Sequence, residues 1–270
     1  MKEKTIARLI VGFLVLSGMF SVSYLSDQNK PDINATKPTV FLHGYKGTYN
    51  SFGFMLDRFE NKYNWGSKAL IYNVSANGEI VARHLGQGNS KPEFIQVILE
   101  DNRAGFTKSA AWLASVLKHL KRYYDVNTIN LVGHSMGGIV SFEFLKQYTD
   151  KGLYPEVDKF VAIGSPFDGI YSEEYFQFNY GPAATDLMPN SSALDMLHER
   201  SFPDSVSVLN IGSTGDSVAV PESVGALRQM IPANQFEEVI IDDKNLGHSA
   251  LHENQRVDRL IYSFLWKDNS

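Results

Sequence analysis

The sequence predicts an α/β fold in which a mostly parallel sheet carries helices on both of its faces. Three observations lead to this prediction. Short apolar runs alternate with segments of helical periodicity, no internal repeat interrupts the alternation, and 270 residues suit one large domain of this class. Ligands of such sheets bind beyond the carboxyl ends of the strands, so we expect a functional site at that edge.

Composition narrows the class of protein further. Hydrophobic residues make up 43% of the chain, and the formal net charge of -5 gives no reason to expect nucleic acid as a partner. The chain has no cysteine, which excludes disulfides, thiol catalysis and a lipid-modified cysteine. The sequence has neither His-rich ligand spacing nor a phosphate-binding glycine loop, so we expect no metal and no nucleotide cofactor.

The first 26 residues have the character of an export segment. Basic residues precede the uncharged stretch Leu9–Ser26, whose strongest apolar run has the length of a signal-peptide core. Ser21-Val22-Ser23 resembles a small-x-small cleavage site and predicts cleavage before Tyr24, whereas the full uncharged stretch also reaches the lower length limit for a membrane-spanning helix. The sequence therefore predicts a signal peptide or an N-terminal membrane anchor in residues 1–26 and leaves that choice open.

The basic flank also predicts the location of the rest of the chain. Positive charge before an apolar stretch keeps the N-terminus on the cytoplasmic side and places the residues after that stretch outside. Residues 27–37 are typical of a polar linker, and the folded domain is predicted over residues 38–270. We expect an exported protein, either secreted or held at the extracellular face of the membrane by an uncleaved anchor.

The first strand and helix are predicted around a glycine-rich turn. Thr39–Leu42 is a short apolar run that ends at residues 43–47, which contain two glycines. A helix capped by Ser51 comes next, because apolar side chains recur there on one face. These side chains are Phe52, Met55, Leu56 and Phe59.

The next elements are predicted from alternation and from β-branched residues. Lys68–Val74 is a strand, and Glu79–His84 and Phe94–Leu99 are expected to pair as an antiparallel hairpin. A helix capped by Thr107 and running to Tyr124 leads into the strand Thr128–Val132.

The second half continues the alternation. A helix is predicted over Gly138–Tyr148, and strands are predicted at Val157–Ile163, Ser207–Ile211 and Glu238–Ile241. Glu253–Trp266 is expected to form the closing helix.

The motif Gly133-His134-Ser135-Met136-Gly137 lies where a predicted strand runs into a helix. A serine on that sharp turn exposes its hydroxyl at the carboxyl end of the sheet, and the flanking glycines permit the strained backbone. This context is typical of a nucleophile elbow, so we predict that Ser135 is a nucleophile.

A serine hydroxyl needs a base to remove its proton and a carboxylate to orient that base. His248 comes after the last predicted strand, and Asp216 comes after the strand before it. We predict His248 as the general base and then acid, and Asp216 as the carboxylate that fixes the imidazole. Asp168, after the preceding strand, is the second choice of acid, and His252 is the near competitor of His248.

Two backbone N–H groups are expected to stabilise the oxyanion of a tetrahedral intermediate. One belongs to Met136, because the first amide of a helix has no intrahelical partner. The other belongs to Tyr45, in the turn after His43-Gly44.

Taken together, these residues resemble the α/β-hydrolase superfamily over Pro38–Trp266, and within it a bacterial group of cell-surface α/β hydrolases of unknown function. The resemblance implies the α/β-hydrolase fold, the Ser-Asp-His arrangement and the oxyanion hole at the positions already named. The sequence departs from the superfamily pattern in one respect: the strand before His43 begins soon after the export segment, so we expect the first two strands of the full eight-stranded sheet to be missing, as in smaller lipase-like members. The resemblance rests on Phe41-Leu42-His43-Gly44-Tyr45-Lys46-Gly47-Thr48, Gly133-His134-Ser135-Met136-Gly137-Gly138 and His248-Ser249-Ala250-Leu251-His252-Glu253-Asn254.

An aromatic-rich segment after the sixth predicted strand is expected to form a lid. Apolar walls over a serine nucleophile suit acyl chains, so the aromatic rings predict a substrate-binding role. The alternative, that these rings are the core of a small inserted cap, stays open. The substrate-binding residues predicted from this segment are Phe167, Tyr171, Phe176 and Phe178.

These observations predict a serine hydrolase that cleaves small-molecule or lipid-like carboxylic esters. An amidase, a peptidase or an acyltransferase acting on a cell-envelope substrate would need the same three residues, because the pocket shape selects the leaving group. A surface binding protein without turnover is the alternative from another class, and retention of Ser135, Asp216 and His248 argues against it.

Overall fold

A computed structural model of the chain describes residues 37–86, 92–148, 152–199 and 201–267. The predicted export segment lies outside the described residues, as does the predicted linker apart from Lys37. The division of the chain into export segment, linker and domain therefore stays a prediction. In the part of the chain that the structure describes, no helix combines the length and the apolar character that crossing a bilayer requires.

The strands of the described residues form one sheet. The strands are β1 (Thr39–Leu42), β2 (Ser67–Val74), β3 (Ile80–His84), β4 (Glu93–Leu99), β5 (Thr128–His134), β6 (Glu156–Ile163), β7 (Ser207–Ser213) and β8 (Phe236–Ile241). Their order in the sheet is β3-β2-β4-β1-β5-β6-β7-β8. All neighbours run parallel except β2 and β3, so the prediction of a mostly parallel sheet is confirmed.

Helices connect these strands and cover the sheet. The helices are α1 (Tyr49–Asp57), α2 (Phe106–Tyr124), α3 (Met136–Gln147), α4 (Glu173–Phe178), α5 (Pro182–Asp186), α6 (Ser192–Asp195), α7 (Pro221–Gly225) and α8 (Gln255–Leu265). A π-helical turn, Arg58–Lys62, extends α1, and a 3-10 turn, His248–Glu253, precedes α8.

Both faces of the sheet are buried beneath helices. Alternate side chains of β1 point to opposite faces, with Val40 and Leu42 in one apolar cluster and Phe41 in the other. Residues of α2 and α3 complete the first cluster, and residues of α1 and α8 complete the second. This two-faced burial explains why the central strands are almost continuously apolar.

The predicted antiparallel hairpin between residues 79–84 and 94–99 is wrong. β3 pairs antiparallel with β2, whereas β4 lies between β2 and β1 and runs parallel to both. The physical reason is burial, because β4 is buried along nearly its whole length and β3 is mostly exposed. A buried strand needs partners on both sides, and an exposed, charged strand suits an edge.

The expected absence of the first two strands of the full sheet stays an expectation. No strand precedes β1 within the described residues. The sheet nevertheless has eight strands in that part of the chain, because β2, β3 and β4 all come after β1 and form its outer half.

The first helix is capped three residues before the predicted position. Thr48 is the N-cap, and its hydroxyl accepts a hydrogen bond from the Asn50 N–H at 3.3 Å. Ser51 instead accepts from the Thr48 N–H at 3.0 Å, which completes a capping box.

The starts of the other three predicted helices also move by one or two residues, and α3 begins at Met136 instead of Gly138. The helix α2 begins at Phe106, whose N–H donates to the Asp186 carboxylate at 2.8 Å, so its cap comes from a distant segment. The helix α8 begins after Asn254, whose side chain accepts from the Arg256 and Val257 N–H groups. The residues before Asn254 form the 3-10 turn instead of the first turn of α8.

A buried ion pair fastens the 3-10 turn to the rest of the fold. Arg58 donates two hydrogen bonds of 2.8 Å to the fully buried Asp258 carboxylate in α8. The same guanidinium donates to the His252 carbonyl at 3.0 Å. Arg58 thereby joins the end of α1, the helix α8 and the turn that begins at His248.

Replacement of Asp258 by alanine should destabilise this junction strongly. The change leaves the Arg58 guanidinium largely buried without its carboxylate, which costs about 3 kcal/mol of the free energy of unfolding. Urea denaturation of the Asp258→Ala variant measures the loss. Asp101→Ala is the matched control, because it breaks an exposed pair with Lys108 and should cost less than about 1 kcal/mol. Equal losses in the two variants would contradict the proposed role of the buried pair.

Candidate active site

Ser135 occupies a strained turn between β5 and α3. Its φ is +56° and its ψ is -130°, a combination that places the hydroxyl beyond the end of the sheet. A β-carbon on Gly133 would lie 2.4 Å from the Gly138 nitrogen, and one on Gly137 would lie 2.2 Å from the Leu42 oxygen. Side chains at either position would therefore prevent the turn, which explains the two glycines of the motif.

The structure brings Ser135, His248 and Asp216 together in one hydrogen-bonded chain. His248 Nε2 lies 2.9 Å from Ser135 Oγ, and His248 Nδ1 lies 2.7 Å from Asp216 Oδ2. The carboxylate is fully buried, whereas the imidazole keeps 16% of its side-chain surface exposed. A substrate therefore has access to the histidine side of the chain and not to the carboxylate.

The partners of Asp216 fix its orientation. Its second oxygen, Oδ1, accepts hydrogen bonds from the Val218 and Ala219 N–H groups, each at 2.8 Å. The remaining oxygen faces His248, so Nδ1 carries a proton and Nε2 presents its lone pair to the Ser135 hydroxyl. This arrangement can remove the hydroxyl proton as the oxygen attacks an electrophile.

The second-choice acid and the competing histidine have other partners. The Asp168 carboxylate accepts a hydrogen bond from the Tyr171 hydroxyl instead of one from an imidazole. The His252 ring packs edge-on against His134, with centroids 4.6 Å apart.

His43 holds the loop that carries the predicted oxyanion donor Tyr45. The Leu99 N–H donates to His43 Nε2 at 3.0 Å, so the proton of this buried imidazole is on Nδ1 and is donated to the Gly44 carbonyl at 2.9 Å. Burial also lowers the pKa of His43, which favours this neutral form. The Gly44 carbonyl and the Tyr45 N–H belong to the same trans peptide, so they point in opposite directions. The hydrogen bond from His43 to the Gly44 carbonyl therefore directs the Tyr45 N–H away from His43.

This loop passes directly over the serine. A β-carbon on Gly44 would lie 2.7 Å from Ser135 Cβ and 3.3 Å from Ser135 Oγ. Within the described residues, neither the Tyr45 N–H nor the Met136 N–H donates a hydrogen bond to another group. Both predicted oxyanion donors are thus available at the end of the sheet where Ser135 lies.

His134 lies next to His248 and within hydrogen-bonding distance of its backbone. His134 Nε2 lies 3.2 Å from the His248 carbonyl oxygen, and the two rings lie 4.8 Å apart between centroids. Burial, together with the neighbouring His248 and His252, lowers the pKa of His134 well below its ordinary value. Burial lowers the pKa of His252 as well. These imidazoles therefore pack beside His248 as neutral groups.

The four predicted substrate-binding residues do not share one environment. Phe167 is 1% exposed and its ring packs against Phe142 in the core, with centroids 5.6 Å apart, so its role as a substrate contact stays a prediction without support from its environment. The Tyr171 hydroxyl is bonded to Asp168, and this ring borders a separate polar cavity of about 380 Å³.

Phe176 and Phe178 belong to residues 171–188, which we call the cap. Phe176 is half-buried and packs against Tyr175, with centroids 5.2 Å apart, whereas Phe178 is 70% exposed. The Tyr175 ring in turn lies 6.3 Å from the ring of Tyr45. The cap is therefore in contact with residues 43–47, which we call the oxyanion loop because they carry the predicted donor Tyr45. The roles of Phe176 and Phe178 stay predictions.

Sequence reasoning missed the roles of His43 and Arg58. The partner of His43, Leu99, lies 56 residues away, and the partner of Arg58, Asp258, lies 200 residues away. No local pattern marks either pair. Across residues 37–86, 92–148, 152–199 and 201–267, no group of three or more His, Asp or Glu side chains is placed to hold a metal ion.

Residues 26–268 match the family described as alpha/beta hydrolase of unknown function (DUF915). No curated protein matches the chain.

Solved structures share the fold. The lin2722 gene product of Listeria innocua is 26% identical, with a TM-score of 0.73 over 86% of this chain and 94% of its own. A candidate cell surface hydrolase of Lactobacillus plantarum is 22% identical, with a TM-score of 0.69 over 86% of this chain and 92% of its own. The lipase BlEst2 of Bacillus licheniformis is 17% identical, with a TM-score of 0.56 over 88% of this chain and 94% of its own.

The buried histidines predict how stability depends on pH. A histidine whose pKa is lowered in the folded state binds its proton more readily when unfolded, so stability is lost as pH falls below the ordinary value of 6.5. The free energy of unfolding should therefore decrease as the pH is lowered from about 7.5 to about 5.

The variant His134→Gln should reduce this dependence on pH, because its amide can donate to the His248 carbonyl but does not titrate. Urea denaturation at the two pH values compares it with the wild type. His198→Gln, which replaces an exposed histidine, is the control. An unchanged pH dependence in His134→Gln would rule out a contribution from His134.

Proposed function

Because the chain belongs to the family of alpha/beta hydrolases of unknown function, DUF915, we propose that it is an exported serine hydrolase that cleaves carboxylic esters. The observation that carries the proposal is the continuous hydrogen-bonded chain from Asp216 through His248 to Ser135. An ordinary structural serine needs neither a backbone with positive φ nor a buried carboxylate behind its histidine partner.

In the first half of the reaction, Ser135 Oγ attacks the ester carbonyl carbon and its proton passes to His248 Nε2. The carbonyl oxygen becomes an oxyanion, which accepts hydrogen bonds from the Tyr45 and Met136 N–H groups. When the intermediate collapses, the bond to the alcohol oxygen breaks and His248 donates its proton to that oxygen. The alcohol leaves, and the acyl group stays on Ser135.

The second half repeats these steps with water. His248 removes a proton from the water, whose oxygen attacks the acyl carbon, and the proton then passes to Ser135 Oγ as the acid leaves. Asp216 stays ionised throughout and stabilises the imidazolium that forms twice in each cycle. Its two backbone donors hold the carboxylate in place while the charge on His248 changes.

The aromatic side chains above the oxyanion loop favour an ester with an apolar acyl group. Tyr45 and Tyr175 pack against the main apolar cluster of the fold, and Phe176 joins them there. Rings that pack beside the loop over Ser135 would supply apolar surface to a substrate there, which suits an acyl chain or an aromatic ester. Substrates of this kind include lipid-like esters.

Export is supported by the basic residues and the uncharged stretch of the N-terminal 26 residues. The Lactobacillus plantarum neighbour is described as a candidate cell surface hydrolase, in agreement with this location. We propose that the domain acts on the extracellular side of the membrane, tethered to it if the N-terminal segment is retained.

Hydrolysis of p-nitrophenyl esters from acetate to palmitate tests this function, with Ser135→Ala as the control. We expect turnover that is lost in Ser135→Ala and labelling of Ser135 by a fluorophosphonate, which reacts only with an activated serine. Labelling without ester turnover would point to an amidase, a peptidase or an acyltransferase. Absence of both would favour a binding protein.

The identity of the acid gives a second prediction. Asp216→Asn should lower kcat by about 10³-fold to 10⁴-fold, because the amide favours the wrong imidazole tautomer. Asp168→Asn should leave kcat close to that of the wild type, since Asp168 bonds to Tyr171. Steady-state kinetics on one ester separates the two. A larger loss in Asp168→Asn would show that the acid has been misassigned.

A third prediction concerns the cap. If Phe176 and Phe178 line the acyl site, the double change to alanine should reduce the preference for longer acyl chains while hydrolysis of the acetate ester continues. The ratio of kcat/KM for octanoate and acetate esters measures this preference. A ratio that survives the double change would remove both rings from the substrate site.

A further inference from the structure

The hydroxyl group of Tyr45 binds both backbone groups of one cap residue. It donates to the Tyr180 carbonyl at 2.7 Å and accepts from the Tyr180 N–H at 2.9 Å. The two residues are 135 positions apart in the chain. One side chain of the oxyanion loop thus fixes the orientation of a peptide segment in the cap.

The next residue of the loop makes a second connection. Lys46 has a positive φ of +56°, and its ammonium group donates to Asn179 Oδ1 at 2.5 Å and to the Phe178 carbonyl at 3.3 Å. Residues 178–180, which we call the strap, are therefore bound by two consecutive residues of the oxyanion loop.

The strap is held by polar contacts and not by burial. The side chains of Phe178 and Tyr180 are 70% and 66% exposed. The Arg103 guanidinium lies over the Tyr180 ring at 4.7 Å from its centroid, and the Ala183 N–H donates to the Arg103 carbonyl at 3.0 Å. The strap is thus anchored to the main domain beyond its contact with Tyr45.

Tyr45 is consequently held from two sides. On the inner side, His43 grips the carbonyl of the Gly44–Tyr45 peptide. On the outer side, the Tyr45 hydroxyl grips the strap. The Tyr45 N–H lies on the backbone between these two attachments.

We propose that Tyr45 is a positioning residue whose hydroxyl, by clamping the strap, sets the direction of its own backbone N–H. The inference rests on the proposed function, which assigns that N–H to the oxyanion hole. It makes the cap and the oxyanion hole one coupled unit. Because coupling between two sites is reciprocal, occupation of the oxyanion hole should also tighten the clamp on the strap.

The variant Tyr45→Phe tests the proposal, because it keeps the backbone N–H and the ring and removes only the hydroxyl. We expect kcat for a short ester to fall about tenfold with little change in KM, since the group acts on the transition state. A purely structural role would lower the melting temperature without this split. Tyr124→Phe is the control, because it removes a hydroxyl that binds His84 away from the site and should keep kcat.

Hydrogen exchange of the full chain provides a readout that does not depend on turnover. The Tyr180 amide should exchange faster in Tyr45→Phe than in the wild type, because it loses its acceptor. A fluorophosphonate adduct on Ser135, whose oxygen occupies the oxyanion hole, should slow exchange of this amide in the wild type and not in Tyr45→Phe.

A second variant acts from the other side of the contact. Asn179→Ala removes the side-chain acceptor of Lys46 and also the donor to the Tyr175 carbonyl, and it should lower kcat in the same direction but by less than Tyr45→Phe. The substituted residue lies in the strap, so a fall in kcat in this variant cannot arise from damage to the oxyanion loop itself.

The outcomes separate this inference from the function on which it rests. A wild-type protein that neither hydrolyses esters nor accepts the fluorophosphonate would overturn both. A labelled, active protein whose Tyr45→Phe variant keeps kcat and the exchange rate of the Tyr180 amide would overturn the positioning role alone.

Discussion

The parallel alignment of β5, β6, β7 and β8 is the constraint on which the site depends. Parallel strands end at the same edge, so residues far apart in the chain meet there. Ser135 comes after β5, Asp216 after β7 and His248 after β8, with His248 lying 113 residues from Ser135 and 32 from Asp216. The loops then need only short-range hydrogen bonds to complete the geometry. If one strand shifted in register, its loop would carry its side chain away from the other two.

Neutral histidines provide much of this local support. His43 accepts from Leu99 and donates to the oxyanion loop, and His134 lies within hydrogen-bonding distance of the His248 carbonyl. Burial lowers the pKa of both, so each acts through hydrogen bonds and contributes no positive charge. In the proposed mechanism this matters, because a permanent cation beside His248 would oppose formation of the imidazolium. In that mechanism, one histidine of the site transfers protons, and the others hold the backbone in place.

Local patterns predict most elements of the fold, and the main errors arise where a partner is distant. The apolar runs reveal where the strands are, but they do not reveal which strand pairs with β3. That pairing depends on which strand is buried on both edges. The first N–H of α2 is capped by the Asp186 carboxylate, which lies 80 residues later in the chain. A sequence window around Thr107 does not contain Asp186 and cannot predict this contact. The wrong N-cap residue predicted for α1 is a different kind of error, because Thr48 and Ser51 are both local candidates and share one capping box.

The sequence by itself determined the class of the sheet, the strained turn at Ser135 and the order in which serine, acid and histidine occur. These features are encoded in short stretches, because periodicity and the glycines of a tight turn act over a few residues. Only the tertiary structure decided that Phe167 is a core residue, that Asp168 bonds to a tyrosine, and that Tyr45 clamps the cap. Those outcomes depend on packing and hydrogen bonding between segments distant in sequence, where the partner of a side chain is selected by the fold and not by its neighbours.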